Sequence, residues 1–328
     1  MQEAAVSIFV PAASARLGAG IAAGLDIPLG AHEELEFEGG ECKLRPLASV
    51  RGRSVYVVQS LFGDALGSAN DRLCGLLFLI GALKDAGAGR VTACIPYLAY
   101  ARQDRRTQAH DPVTTRYVAR LFEAVDTDRL IALEVHNRAA FDNAFRCQAV
   151  HLEAAALFVR HFSKDSAGHD YAVATPDIGG AARARRVADL LQTALARPVN
   201  FAIVDKKRSH GAISGELFAG DVAGRRVIIV DDLISSGSTV LHAIDACRRA
   251  GAVRVDVAAT HASFGPAAQR IFDSGQPDTV VVTDSVALGE RFADYLKGSL
   301  IVLTVAPLFA EAIRRLESGG SVSQLGGL

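Results

Sequence analysis

A chain of 328 residues in which hydrophobic side chains make up 50% has enough apolar material for substantial cores, and its length corresponds to about two domains of roughly 150 residues each. Thirty-five basic and 36 acidic side chains leave a formal net charge of −1, which points away from nucleic acid and from membrane surfaces as partners. Any anionic ligand is therefore expected to be small and held by local groups.

In chain order, the first segment, "MQEAAVSIFVPAASARLGAG", sets an apolar run before Ala-Ser-Ala. It lacks a basic leading region and Pro11 interrupts the run, so it reads as a strand over 6–10 followed by a helix, not as a secretion signal. No later stretch reaches the 18 or so uninterrupted apolar residues of a membrane span. Five cysteines (Cys42, Cys74, Cys94, Cys147 and Cys247) are scattered without any C-x-x-C spacing, the pattern of reduced thiols in a cytoplasmic protein.

An internal repeat organises the rest of the chain. "GRSVYVVQSL" from Gly52 parallels "GRRVIIVDDL" from Gly224, and "DAGAGRVTACIPYLAYAR" from Asp85 parallels "RAGAVRVDVAATHASFG" from Arg249. The offset is 172 residues at the first match and 164 at the second, which places eight extra residues between strand and helix in the first copy. Each copy reads strand, loop, amphipathic helix, Ala-Gly-Ala turn, strand, with helices expected over 73–86 and 240–250. That alternation predicts an α/β fold: two duplicated domains, each a mostly parallel sheet flanked by helices. The expected domains are residues 1–148 and 149–305, with a last helix over 306–317 returning to the first domain and a flexible tail over 318–328.

The stretch "VIIVDDLISSGSTV", residues 227–240, carries the first chemical signal. In an open parallel sheet ligands bind beyond the carboxyl ends of the strands, where Asp231, Asp232 and the turn Ser235, Ser236, Gly237, Ser238, Thr239 stand. A strand-loop-helix offers backbone N–H groups and a helix N-terminus to an anion, and the hydroxyls add donors. The acids, one step earlier, suit the vicinal hydroxyls of a sugar whose phosphate occupies the loop. In the first copy the equivalent strand ends with Gln59 and Ser60, so the fold does not require the acids. In "DKKR", an extended backbone would turn Lys206 and Arg208 to one side and Lys207 to the other, aiming two cations together.

The acid pair and hydroxyl loop resemble the phosphoribosyl diphosphate motif of phosphoribosyltransferases and ribose-phosphate diphosphokinases. The segments "IPYLAYARQDRR", "TPDIGGAARAR", "AIVDKKR" and "VAPLFAEAIRR" resemble the ribose-phosphate diphosphokinase family in the same order along essentially the whole chain. The resemblance implies two phosphoribosyltransferase-like domains and transfer of the diphosphoryl group of Mg–ATP to the anomeric hydroxyl of ribose 5-phosphate, with AMP leaving. It also implies the residue roles. Lys206 and Arg208 are the catalytic cations, on a mobile flap over 206–216. Phe37, Glu41, Arg102, Gln103, Asp104 and His136 bind ATP. Asp177, Asp231, Asp232 and residues 235–239 bind ribose 5-phosphate. His136 and Asp177 are ligands of Mg²⁺. Phe37 and Glu41 are expected to reach an ATP site at a subunit interface of a homo-oligomer, a hexamer being the family's usual assembly.

The sequence departs from the family's pattern in places. Gly39 stands where the adenine loop usually carries aspartate, Glu134 precedes the histidine in place of aspartate, and "NRAAFDNAF" over 137–145 replaces a glutamine-rich stretch. Ser238 stands where a glycine is usual, so a positive φ there would be strained. Two further readings stand beside the synthetase: a non-catalytic regulatory paralogue and a nucleobase phosphoribosyltransferase. The retained Lys206, Arg208, Asp231, Asp232, His136 and Asp177 favour an active synthetase over the former, and the duplication weighs against the latter.

Overall fold

The computed structural model describes residues 6–165, 168–209 and 212–327, and within these the side chains of residue 165 and of residues 205–217 lie outside the described set. The chain divides into two compact units, the first comprising residues 1–152 and 304–325 and the second residues 153–303 and 326–328.

In the first unit β1 (Val6–Phe9) leads to α1 (Ala15–Leu25), and β2 (His32–Glu36) and β3 (Cys42–Pro46) form an antiparallel hairpin. Next come β4 (Ser54–Val58), α2 (Ala69–Asp85), β5 (Arg90–Ile95), α3 (Thr114–Ala124), β6 (Arg129–Leu133), α4 (Arg138–Ala144) and β7 (Gln148–Leu152). The sheet has the order β1-β4-β5-β6-β7, parallel throughout. Every residue of β4 and β6 is buried, as expected of strands covered on both faces. Ser68 starts α2 with a capping box: its hydroxyl accepts from Asp71 N–H while the Asp71 carboxylate accepts from Ser68 N–H.

The second unit contains α5 (Ala155–Phe162), β8 (Tyr171–Thr175), α6 (Ala181–Leu195), β9 (Val199–Ser209), β10 (Ala212–Ala219), β11 (Arg226–Leu233), α7 (Ser238–Arg249), β12 (Arg254–His261), α8 (Gln269–Asp273), β13 (Thr279–Thr283) and β14 (Leu300–Leu303). Its sheet runs β10-β9-β8-β11-β12-β13-β14, parallel except for the β9–β10 hairpin at one edge. Removing that hairpin leaves five parallel strands in the same order as in the first unit, which is the architectural form of the sequence repeat. The first copy's extra residues are shared between a longer loop over 59–68 and a longer helix, 17 residues in α2 against 12 in α7; they do not all fall between strand and helix.

The last helix, α9 (Ala306–Ser318), belongs to the first unit and packs on α1. Small residues permit the approach: a Cβ on Gly20 or Gly24 would lie 2.9 Å from the Cβ of Ala306 or Ala310 respectively. At its far end Glu317 Oε1 accepts from Ser54 Oγ (3.0 Å) and from the buried Tyr56 hydroxyl (2.5 Å), tying the helix to β4. Residues 323–326, where the composition predicts flexibility, form a 3₁₀ turn whose Gly326 carbonyl accepts from Arg186.

Candidate active site

In the second unit the candidate residues gather at the carboxyl ends of β8 and β11. Asp231 and Asp232 end β11 side by side, Asp232 N–H donating to Asp231 Oδ1 at 2.8 Å. Burial and the adjacent Asp232 carboxylate push the Asp231 carboxyl up from its ordinary 3.8 to about 8, against the opposing field of Arg183. Arg183, in the first turn of α6, stands 3.8 Å from Asp232 Oδ2 and is itself nearly buried. It lies within the "GGAARAR" stretch but carries no motif signal of its own; only the packing of α6 against β11 brings it to the acids.

The hydroxyl loop turns on Gly237, which has φ +79° and serves as the N-cap of α7 without a side-chain capping bond. The helix N-terminus is thereby open to an anion, flanked by the exposed Ser235, Ser236, Ser238 and Thr239. Ser238 does not carry the positive φ that its substitution for glycine raised as a concern. It is the first residue of α7, and Gly237 supplies the left-handed turn. A Cβ on Gly237 would sit 2.4 Å from Ile271 Cδ1, so the position excludes other side chains twice over. The loop is buttressed from behind: Ile234 N–H donates to His261 O, Gly265 N–H to Ser235 O, and Ser263 Oγ to Ile234 O. Beneath, His261 Nδ1 pairs with Ser285 Oγ at 2.9 Å inside the core.

Asp177 lies at the end of β8, exposed, its Oδ1 accepting from Gly180 N–H at 2.9 Å as the cap of a 3₁₀ turn over 178–180. Lys206 and Arg208 are two residues apart on β9, opposite Glu216 and Ile213 on β10. The extended backbone required for a shared direction is present; the side chains of both cations lie outside the described residues.

In the first unit, Arg102, Gln103 and Asp104 follow β5, the first two exposed. Thr115 N–H donates to Gln103 O at 3.3 Å, and Thr114 Oγ1 to Gln103 Oε1 at 2.5 Å. Asn137, the N-cap of α4, donates to Asp104 Oδ2 at 2.6 Å, and Arg105 pairs with the other oxygen at 3.1 Å. Burial alone would raise the Asp104 carboxyl, but these two donors outweigh it and hold it below the usual range. His136 lies beyond the end of β6. β6 ends at Leu133, Glu134 turns away at φ +44° with its N–H donating to Leu152 O, and His136 lies exposed beyond. Asn137, in the stretch that departs from the family pattern, thus holds Asp104 and directly follows His136 in the chain. Phe37 and Glu41 face each other across the tip of the β2–β3 hairpin, Phe37 N–H donating to Glu41 O at 2.8 Å, with Phe37 half exposed.

Comparison with known proteins converges on one family. Residues 6–125 match the N-terminal domain of ribose phosphate pyrophosphokinase, and residues 210–326 match the phosphoribosyl synthetase-associated domain. A ribose-phosphate pyrophosphokinase of Caldanaerobacter subterraneus is 37% identical over 98% of this chain and 97% of its own length; that of Haemophilus influenzae is 36% identical over 98% of each. The crystal structure of phosphoribosylpyrophosphate synthetase from Mycobacterium smegmatis matches with a TM-score of 0.84 and 32% identity, covering 96% of this chain and all of that one. Identity at this level along nearly the entire chain, on a shared fold, places the protein in the ribose-phosphate pyrophosphokinase family.

Proposed function

We propose that this protein transfers the diphosphoryl group of ATP to the anomeric hydroxyl of ribose 5-phosphate, yielding 5-phosphoribosyl 1-diphosphate and AMP. The observation that carries the reading is the β11–α7 seat, where an uncapped helix N-terminus ringed by hydroxyls comes directly after two adjacent acids. The helix N-terminus and the serine and threonine hydroxyls bind the 5-phosphate, and Asp231 and Asp232 take the ribose hydroxyls. A neutral Asp231 carboxyl donates a hydrogen bond where an ionised neighbour accepts one, so the pair offers both polarities to vicinal hydroxyls.

Arg102, Gln103 and Asp104 bind the nucleotide, Asn137 fixing Asp104 as it does so. The attacking oxygen forms a bond to the β-phosphorus as the bond from that phosphorus to the bridging α-phosphate oxygen breaks, and the hydroxyl proton passes to solvent. Lys206 and Arg208 neutralise the charge that accumulates on the transferring group.

The donor set fits magnesium delivered with its nucleotide. Among the described residues no three His, Cys, Asp or Glu side chains cluster into a preformed cage, and this ion normally takes one or two protein ligands beside substrate phosphates. Asp177 and His136, both exposed, are assigned as its ligands, and the ion would polarise the phosphoryl oxygens. Phe37, exposed on a hairpin tip, is assigned to the adenine of a neighbouring subunit in a homo-oligomer, with a hexamer the family's usual form. Five cysteines in the thiol form favour the cytoplasm. No helix among the described residues is long and apolar enough to cross a membrane.

The test is release of AMP from Mg–ATP, measured with and without ribose 5-phosphate. Release that depends on the sugar phosphate is expected, and Lys206→Ala should lower kcat by about 10²-fold or more with the fold intact by circular dichroism. Well-folded protein that releases no AMP would refute the reading.

A further inference from the structure

A strained residue stands directly beside the nucleotide segment of the first unit. Tyr100, two residues before Arg102, has φ +64°. For an aromatic residue this left-handed conformation is unfavourable, and it persists only where surrounding contacts fix it. Gln103 N–H donates to Tyr100 O at 3.0 Å and closes a four-residue turn with Ala101 and Arg102 at its centre. Both ends of that turn are clamped by Thr115, the second residue of α3, which is 4% exposed. Its hydroxyl donates to Tyr100 O at 2.8 Å and approaches Gln103 O at 3.2 Å, while its N–H donates to Gln103 O at 3.3 Å. The Tyr100 hydroxyl is anchored as well, donating to Asn70 Oδ1 in the first turn of α2. The Thr115 hydroxyl does not serve its own helix, since α3 begins at Val113 without a side-chain capping bond.

We propose that Thr115 is a positioning residue for the nucleotide: by holding Tyr100 in its left-handed conformation, it sets the direction in which Arg102 leaves the turn and the place of the Gln103 amide. The inference rests on the assignment of Arg102 and Gln103 to ATP. It adds that these two exposed side chains take their bearing from a buried hydroxyl on α3. A turn free to relax Tyr100 to negative φ would re-aim Arg102, because the backbone between them is only two residues long. Thr114, the preceding residue, fixes the Gln103 side chain itself through Oε1 at 2.5 Å, so the start of α3 sets both the main chain and one side chain of the segment.

Binding of α,β-methylene-ATP with Mg²⁺, an analogue whose bridging methylene resists cleavage, is measured calorimetrically on the full chain and on Thr115→Val, Thr115→Ala, Thr115→Ser and Arg102→Ala. Loss of the hydroxyl in Thr115→Val and Thr115→Ala is expected to raise the Kd about 3- to 30-fold, whereas Thr115→Ser, which keeps it, should stay within about 2-fold of the parent. Thr115→Ala suits a helix and gives the same reading should the β-branched Thr115→Val not fold. In initial-rate assays the KM for ATP should follow the same order, while the KM for ribose 5-phosphate changes by less than about 2-fold. If Arg102→Ala weakens the analogue and Thr115→Ala does not, the inference is overturned and the assignment of the segment stands. Analogue binding that is absent in the parent, or unaffected by Arg102→Ala, would refute the assignment and the inference with it. Equal rises in KM for both substrates, or a Thr115→Ser as impaired as Thr115→Ala, would also overturn the inference, because Thr115 would then serve the packing of α3 rather than the turn.

Discussion

At the scale of single residues, the most informative group is Asp231. Its native carboxyl, raised by burial and by Asp232 to about 8, holds a proton that the unfolded chain releases at the ordinary 3.8. The native state therefore binds more protons across that window, and the associated stability is complete below about pH 4, falls as pH rises, and is gone above about pH 8. Asp231→Asn should flatten this part of the dependence, so its melting temperature relative to the parent should be higher at pH 8 than at pH 5. Equal shifts at both pH values, read by calorimetry, would place the proton elsewhere. The same substitution, combined with Asp232→Asn, should weaken ribose 5-phosphate far more than ATP. The acids themselves were legible in the sequence because a pair of like charges ending an apolar strand needs a reason, and the acid-free repeat removed the structural one. Arg183 was not, because no local pattern marks the arginine that a helix will carry across to a neighbouring strand.

At the scale of elements, the β11–α7 loop corrects an expectation in an instructive way. The family resemblance marked Ser238 as a substitute for glycine that a positive φ would strain, whereas the left-handed residue is Gly237 and Ser238 opens the helix with ordinary geometry. Which of two adjacent positions takes the positive φ depends on where the helix begins, and Ile271, over thirty residues on, packs where a Cβ on Gly237 would lie, so that this position suits glycine on both counts. Gly237→Ala should destabilise the protein by about 1–3 kcal/mol and raise the KM for ribose 5-phosphate. Ser238→Gly should change stability by under about 1 kcal/mol and leave that KM nearly unaltered. Denaturant titration and initial rates test both, and a marked gain in affinity from Ser238→Gly would restore the strained-serine view. The end of β6 shows the same limit of sequence reading: an apolar run to Val135 reads as one strand, but the turn at Glu134 ends it at Leu133.

At the scale of the molecule, the duplication was readable because parallel strands buried on both faces keep near-continuous runs of Val, Ile and Leu, and these align without gaps at β4 and β11. The added β9–β10 hairpin and the β2–β3 hairpin, the latter packed on α2, were less visible, since charged residues interrupt both sequences and their apolar alternation is weak. The return of α9 to α1 depends on small residues meeting across the helices, and Gly24→Val should force them apart and lower stability by about 1–3 kcal/mol, measured by urea unfolding. A neutral result would mean that α9 is held mainly by its Glu317 contacts to β4.

That return has a consequence for how the protein is made. Because residues 304–325 complete the unit that begins at the N-terminus, the ribosome releases the entire second unit before the first can close. During that interval α1 and the buried hydroxyl of Tyr56 lack their cover. A message truncated between β14 and α9 therefore yields a chain with an open apolar helix face, one that chaperones and proteases recognise, while the strands of the second unit's sheet are all present.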